Sequence, residues 1–143
     1  MQVRLKKLDE KCILPKYQTE HSAGADIHAL ETTVIKAGET KLIRSGFAVE
    51  IPLGFAGFIF ARSGIALKRG LAPANKVGVV DSDYRGEVMV AIYNQSGVDQ
   101  TVEAGERIAQ FVILPIYQVE FSVIDEMSDT DRGQGGFGST GSK

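Results

Sequence analysis

The sequence predicts an all-β domain built as a sandwich, a jelly roll or a barrel of short strands. Short runs of alternating or β-branched residues recur at close intervals, and glycine-bearing turns separate them. Only residues 63–69 have helical character, with Ser63 as a possible N-cap and Gly70 as a stop signal. A chain of 143 residues is long enough for one domain with a substantial core.

The elements follow from this pattern in chain order. The predicted strands are 25–29, 32–35, 41–44, 47–51, 55–60, 77–80, 88–93, 108–114 and 117–123. Residues 75–93 read as a β-hairpin, because Asp81, Ser82 and Gly86 are turn formers between two apolar runs. That turn places the carboxylate of Asp81 at the end of a strand, where it either takes part in a reaction or only caps the turn.

Composition and charge exclude several classes of protein. The net charge of −2 argues against a general binder of nucleic acid or of membrane surfaces, so a polyanionic ligand needs a local arginine cluster. The single Cys12 fits a reducing compartment, and His21 and His28 are too few and wrongly spaced for a zinc site. The charged start lacks the apolar run of a signal peptide, and no stretch is long enough to span a bilayer. We therefore expect a cytoplasmic protein.

The composition changes sharply near Met127. Residues 1–127 are predicted to form the β domain, and 128–143 a mobile glycine-rich arm. Ordering about ten arm residues would cost on the order of 10–20 kcal/mol, so the arm orders only on a tightly bound partner. Arg132 suits a phosphate and Phe137 could stack on a base, which favours function over the alternative of a solubilising tail.

Several further polar groups are candidates for chemistry. Arg62 and Ser63 lie at a predicted strand-to-helix junction, where free N–H groups favour an anion, although a plain cap is an equal alternative. Gln110 could hold a phosphate oxygen or simply be an exposed strand residue. Asp26 could meet a hydrated metal ion or tie down a turn.

Taken together, five short motifs resemble those of the trimeric deoxyuridine triphosphatase (dUTPase) family. They are Ala-Gly-Ala-Asp at 23–26, Ala-Arg-Ser-Gly at 61–64, Gly-Val-Val-Asp-Ser-Asp-Tyr-Arg-Gly at 78–86, Gly-Glu-Arg-Ile-Ala-Gln at 105–110 and Arg-Gly-Gln-Gly-Gly-Phe-Gly-Ser at 132–139. Each motif alone is weak, but their order over nearly the whole chain is specific. Ala25 and Val80 depart from the residues most frequent in the family, and neither is expected to do chemistry.

The resemblance implies a fold, an assembly and a reaction. The fold would be a jelly-roll-like β-barrel, and the assembly a homotrimer with active sites shared between subunits. The reaction would be Mg²⁺-dependent hydrolysis of dUTP to dUMP and pyrophosphate, with water attacking the α-phosphate. It would limit uracil in DNA and supply dUMP for dTTP synthesis.

The resemblance also assigns residues to roles. Asp81 would activate the attacking water, and Asp26 would approach the metal only through water. The residues assigned to substrate binding are Arg62, Ser63, Gly64, Asn75, Val79, Val80, Tyr84, Met89, Gln110, Arg132, Phe137, Gly138, Ser139 and Thr140. Within this set Asn75, Val79, Val80 and Met89 would read the uracil edge, while Tyr84 would pack on the deoxyribose. Phe137 would cover the base. The residues that would hold phosphates are Arg62, Ser63, Gly64 and Gln110, and those that would clamp the terminal phosphates are Arg132, Ser139 and Thr140.

Two alternatives remain open at this stage. One is the dCTP deaminase family, which has a similar fold but hydrolyses an exocyclic amine. The other is a non-catalytic trimeric module that binds nucleotide or a protein partner. The turn at 81–84 and the arm with Phe137 favour the triphosphatase over both.

Overall fold

The computed structural model describes residues 1–136, and this part of the chain forms ten strands and one helix. The elements are β1 (Arg4–Lys7), β2 (Ala25–His28), β3 (Thr33–Ile35), β4 (Thr40–Glu50), β5 (Phe55–Ala61), α1 (Ser63–Arg69), β6 (Leu71–Pro73), β7 (Gly78–Val80), β8 (Glu87–Asn94), β9 (Gln100–Val102) and β10 (Arg107–Pro115). The predicted all-β class with one short helix is confirmed.

The strands form two four-stranded antiparallel sheets and a small third ladder. The first sheet has the order β1-β4-β8-β6, the second has the order β2-β10-β5-β7, and β3 pairs with β9. Phe47 of β4 and Phe111 of β10 meet edge to face with their ring centroids 6.4 Å apart. The two sheets thus share one apolar core, as in a jelly-roll-like fold, and within residues 1–136 they remain separate ladders rather than a closed barrel.

Strand β4 joins two segments that the sequence predicts as separate strands, 41–44 and 47–51. Its register with β8 shifts between Arg44 and Ala48, which marks a bulge. Gly46 lies in this bulge with φ +79°, and a Cβ there would come within 2.9 Å of Cδ1 of Leu30. The gap predicted between the two segments is therefore a bend in one long strand, and only glycine fits this backbone at so close an approach.

Helix α1 has the predicted bounds but not the predicted N-cap. Arg62 occupies the N-cap position without a side-chain capping bond, and Ser63 is already the first helical residue. Gly70 ends the helix in the left-handed conformation, as expected, and its N–H binds the carbonyls of Ile65 and Ala66. At the C-terminal end, Nε of Arg69 donates to Gln100 at 2.9 Å, which ties the helix to β9.

Residues 117–123, predicted as a strand, form no strand in the single chain. A strand needs a hydrogen-bonded neighbour, and the described part of the chain offers none to this segment. Conversely, the short strands β1, β6 and β9 carried too few alternating residues to be predicted. Within residues 1–136, no helix combines the length and apolar character that a bilayer crossing demands.

Candidate active site

A cleft opens where β7 and β8 leave their connecting turn. The sequence predicts that these strands pair as a hairpin, and that prediction is wrong. Strand β7 pairs with β5, whereas β8 lies between β4 and β6 in the other sheet. Strand β7 joins the opposite sheet, and the two strands diverge. Strand β6 pairs with β8 only at residues 92–94, so residues 87–91 of β8 line the cleft.

The cleft has a volume of about 250 Å³, and it is lined by the residues between 75 and 89 that were assigned to the uracil, the deoxyribose and the attacking water. These residues are Asn75, Val79, Val80, Asp81, Tyr84 and Met89. Strand β7 is the last strand of its sheet, so one edge of its backbone has no strand neighbour within residues 1–136. Main-chain N–H and C=O groups along that edge can therefore bind a planar ligand as another strand would.

The turn at 81–86 places a carboxylate and an aromatic ring at the mouth of the cleft. Asp81 is exposed directly after β7, and its carbonyl accepts the N–H of Tyr84 at 3.2 Å. The Tyr84 hydroxyl donates to the carbonyl of Glu87 at 3.0 Å, so the ring folds back over the turn. A Cβ on Gly86 would lie 2.5 Å from Cζ of Tyr84, and therefore only glycine permits this ring position.

Glu87 connects the end of the turn to the bulge of β4. Its Oε1 accepts the backbone N–H of Gly46 at 2.7 Å, and its Oε2 accepts Nε of Arg44 at 3.0 Å. The Glu87 carboxylate raises the pKa of Arg44, mainly through this hydrogen bond. The bulge thus supports one end of the cleft.

A second cluster centres on Asp26 in β2. Nε of Arg62 donates to Oδ1 of Asp26 at 3.0 Å, and a terminal nitrogen of Arg107 donates to Oδ2 at 3.1 Å. The Asp26 side chain is 2% exposed, whereas those of Arg62 and Arg107 are 22% and 41% exposed. Gln110 of β10 lies directly opposite Asp26 in the ladder. One buried carboxylate thus holds two guanidinium groups beside Gln110, which makes a cationic site suited to phosphate.

His28 adjoins this cluster, opposite Arg107 in the β2–β10 register. Burial lowers the pKa of His28, and the nearby Asp26 carboxylate only partly opposes that effect. Its Nδ1 is buried without a hydrogen-bond partner among the described residues. Because burial disfavours the charged imidazolium, His28 contributes no charge to the site near neutral pH.

Within residues 1–136, the residues assigned to the nucleoside and those assigned to the phosphates do not line the same cleft. Among the residues that the structure describes, the cleft between β7 and β8 is lined by none of Arg62, Ser63, Gly64 and Gln110. In the arm, Nε of Arg132 donates to the carbonyl of Gly135 at 2.8 Å and the side chain is exposed. The assigned residues Phe137, Gly138, Ser139 and Thr140 lie outside the described residues.

The predicted metal role of Asp26 stays a prediction. Both of its oxygens accept guanidinium N–H groups, and each retains a lone pair that a water molecule could use. No group of three or more His, Cys, Asp or Glu residues within 1–136 is arranged to hold a metal ion. Such an arrangement suits Mg²⁺ held largely by substrate phosphates, because this ion keeps most of its waters in nucleotide sites.

Sequence reasoning missed Arg107 as a member of the site. The residue stands inside the 105–110 motif, but 81 positions separate it from its partner Asp26. Only the antiparallel register of β2 and β10 brings the two together, and that register is not readable from local pattern. The feature of the sequence that could have identified Arg107 is its position within the same motif as Gln110.

The fold and the cleft define a class: a jelly-roll-like protein with a nucleoside-sized cleft beside a diverging turn. Comparison with known proteins identifies the family within this class. The family model described as dUTPase matches residues 10–141, so the chain belongs to the dUTPase family. It is 48% identical over 141 residues to the deoxyuridine 5'-triphosphate nucleotidohydrolase of Nautilia profundicola, covering 99% of both chains.

Solved structures agree with this assignment. The chain resembles the dUTPase of Staphylococcus bacteriophage 80alpha in complex with dUpNHpp, with a TM-score of 0.91 and 30% identity over 98% of both chains. It also resembles a variant dUTPase from phage phi11 of S. aureus, with a TM-score of 0.81 and 26% identity over 88% of this chain and 98% of the other. The phi11 structure concerns the coordination of a structural Mg(II) ion.

Proposed function

We propose that the protein hydrolyses dUTP to dUMP and pyrophosphate through attack of water on the α-phosphate. The observation that carries this proposal is the cleft between β7 and β8 in a chain of the dUTPase family, lined by Asn75, Asp81, Tyr84 and the neighbouring assigned residues of the two strands. The reaction limits the dUTP available for incorporation into DNA and supplies dUMP for dTTP synthesis. The buried free Cys12 accords with a reducing compartment, and we place the reaction in the cytoplasm.

The backbone of β7 reads the base in this proposal. Its unpartnered edge, in the segment that contains Val79 and Val80, offers backbone N–H and C=O groups that can pair with uracil. A site that satisfies the uracil pattern leaves the amino group of cytosine mismatched, and such mismatches discriminate strongly. Tyr84 packs against the deoxyribose and leaves no room for a 2′-hydroxyl, which selects against UTP.

Asp81 acts as the general base that activates the attacking water. Its carboxylate is exposed at the cleft mouth, where a water and an α-phosphate can both approach it. A positioned general base contributes roughly 10²–10⁴-fold to a rate. The remaining acceleration comes from positioning the triphosphate and neutralising its oxygens.

The phosphate-binding residues Arg62, Ser63, Gly64 and Gln110 act on substrate bound in the cleft of a neighbouring subunit of a homotrimer. Two features support this assembly. The cationic cluster and the cleft do not meet within residues 1–136 of one chain. In addition, Tyr117, Phe121 and Val123 are at least 91% exposed, an apolar surface that a neighbouring subunit would bury.

Residues 128–143 form an arm that closes over the bound substrate, apart from the β domain at 1–127. Arg132 with Ser139 and Thr140 would clamp the terminal phosphates, while Phe137 followed by Gly138 would cover the uracil. The guanidinium of Arg132 is exposed and thus accessible to a phosphate. Because the ordering cost is large, closure depends on the correct substrate and excludes water once it has occurred.

Magnesium fits this site as an ion carried largely by the substrate. Asp26 would hold it only through water, using lone pairs that Arg62 and Arg107 leave free. When bound, the ion supplies positive charge that neutralises phosphate oxygens. The protein's own part is to orient the triphosphate with Arg62 and Gln110 and to take a proton from water at Asp81.

Release of pyrophosphate from dUTP, UTP, dTTP and dCTP, measured side by side, tests base and sugar recognition together. We expect a far higher kcat/KM for dUTP than for the other three nucleotides. Ammonia release from dCTP without pyrophosphate would instead establish a deaminase, and binding without turnover would establish a non-catalytic module. Asp81→Asn should bind dUTP but lose most turnover, while Asp83→Asn in the same turn serves as the matched control. Near-normal turnover of Asp81→Asn would remove Asp81 from its role.

A further inference from the structure

The turn that carries Asp81 and Tyr84 is held together by the side chain of Arg85. One terminal nitrogen of its guanidinium donates to the carbonyl of Ser82 at 2.7 Å and to the carbonyl of Tyr84 at 3.0 Å. Both acceptors belong to the turn itself. Arg85 therefore binds the backbone on either side of Asp83 and fixes the curvature of the turn.

The same guanidinium also faces the sheet beneath the turn. Its other terminal nitrogen lies 4.0 Å from Oε1 of Glu50, at the end of β4. That oxygen accepts a hydrogen bond from Arg4 of β1 at 2.6 Å. Glu50 thus draws Arg85 toward a paired strand, which gives the turn a second connection to the sheet besides Glu87.

Few other contacts restrain this segment. Asp81, Asp83, Tyr84 and Gly86 are all exposed, so little apolar packing holds the turn in place. Within the turn, the structure records one backbone bond, from the Tyr84 N–H to the Asp81 carbonyl. A planar guanidinium can bind two carbonyls and a carboxylate at once, which the compact ammonium of lysine cannot do with the same geometry.

We propose that Arg85 is a positioning residue for dUTP hydrolysis, holding the carboxylate of Asp81 and the ring of Tyr84 in their productive places. The inference rests on the proposed function, since it assumes that these two side chains meet the substrate. Arg85 does not line the cleft within the described residues, so it acts through the turn rather than on the nucleotide. Its loss should therefore weaken catalysis and sugar discrimination together.

The test compares Arg85→Ala and Arg85→Lys with the wild-type trimer on dUTP and UTP. A displacement of about 1 Å at a reacting group costs on the order of 100-fold, so we expect Arg85→Ala to lower kcat for dUTP by about 10- to 100-fold. We expect the ratio of kcat/KM for dUTP over UTP to fall as well, because Tyr84 no longer excludes the 2′-hydroxyl firmly. Arg85→Lys should recover only part of either loss, while added guanidinium ion should restore turnover in Arg85→Ala.

Arg4→Ala is the matched control, because it removes an exposed guanidinium from the same Glu50 without touching the turn. It should stay within about twofold of wild type, as expected for an exposed ion pair. Wild-type kcat and selectivity in Arg85→Ala would overturn the inference alone. An equal loss on dUTP and UTP, with no response to guanidinium, would also overturn it. A wild-type protein that releases no pyrophosphate from dUTP would overturn the proposed function, and the inference with it.

Discussion

Replacing Asp26 by Asn tests whether the cationic cluster depends on its buried carboxylate. Asp26 is 2% exposed, and its two oxygens accept Arg62 at 3.0 Å and Arg107 at 3.1 Å. Asn removes the charge and offers one carbonyl oxygen in place of two carboxylate oxygens. Its amide NH₂ group must then face a guanidinium, and two donors cannot pair.

The expected loss in the free energy of unfolding follows from the burial of the carboxylate and of the two guanidinium groups. Removing one partner of a fully buried ion pair costs about 3–5 kcal/mol, because the other charge is left without compensation. Here the arginine side chains are 22% and 41% exposed, so both guanidinium groups can turn partly toward water. We therefore expect the free energy of unfolding to fall by about 2–3 kcal/mol, between that limit and the value for one charged hydrogen bond.

Urea-induced unfolding at one fixed protein concentration measures this change, since the stability of an oligomer depends on concentration. Glu10→Gln removes the same charge from an exposed position and should stay within about 0.5 kcal/mol of wild type. A loss below about 0.5 kcal/mol in Asp26→Asn would refute the reasoning. In that case the two arginines would be held by other contacts, and the carboxylate would not organise the phosphate site.

Three further outcomes are expected. Gly57→Ala should destabilise the fold by about 1–3 kcal/mol in thermal or urea unfolding, because its Cβ would lie 2.5 Å from Cε2 of Phe111 in the core. Gly97→Ala, which meets nothing within 4 Å, is its control. Burial raises the pKa of the Cys12 thiol, so an aromatic disulfide reagent should label it quickly only after denaturation. Truncation after Met127 should leave a folded trimer with very low turnover, whereas full turnover would exclude the arm from catalysis.

The fold class could be predicted because each local signal in the core agreed with its surroundings. Helix α1 kept its predicted bounds, and Gly70 ends it in the left-handed conformation that glycine tolerates. The errors arose where tertiary context decided the structure. The gap predicted between strands 41–44 and 47–51 is a bulge at Gly46, and residues 117–123 have strand composition without a neighbouring strand within residues 1–136.

The candidate site, too, was predictable where its residues are close in sequence and not where tertiary structure brings them together. The assigned residues of the cleft are close in sequence, at 75–89, in and beside the motif at 78–86. Lining residues from other strands, such as Leu42 and Ile59, were not predicted. The cationic cluster joins residues from two strands, β2 and β10, and a helix boundary, and its member Arg107 became visible only through the β2–β10 register. Local motifs thus reveal a site built on one turn, whereas a site built across a sheet requires its topology.

The divergence of β7 and β8 is what makes the cleft possible. In a paired hairpin, the N–H and C=O groups on the inner edge of β7 would form hydrogen bonds to β8, and none would be available to a ligand. Instead β7 joins the other sheet, where it stands at the end and one of its edges has no strand neighbour within residues 1–136. The turn between them is consequently long and exposed, and it requires its own supports, Glu87 on the bulge of β4 and Arg85 on two of its carbonyls. The same topology that exposes the binding edge therefore creates the need for residues that position the turn.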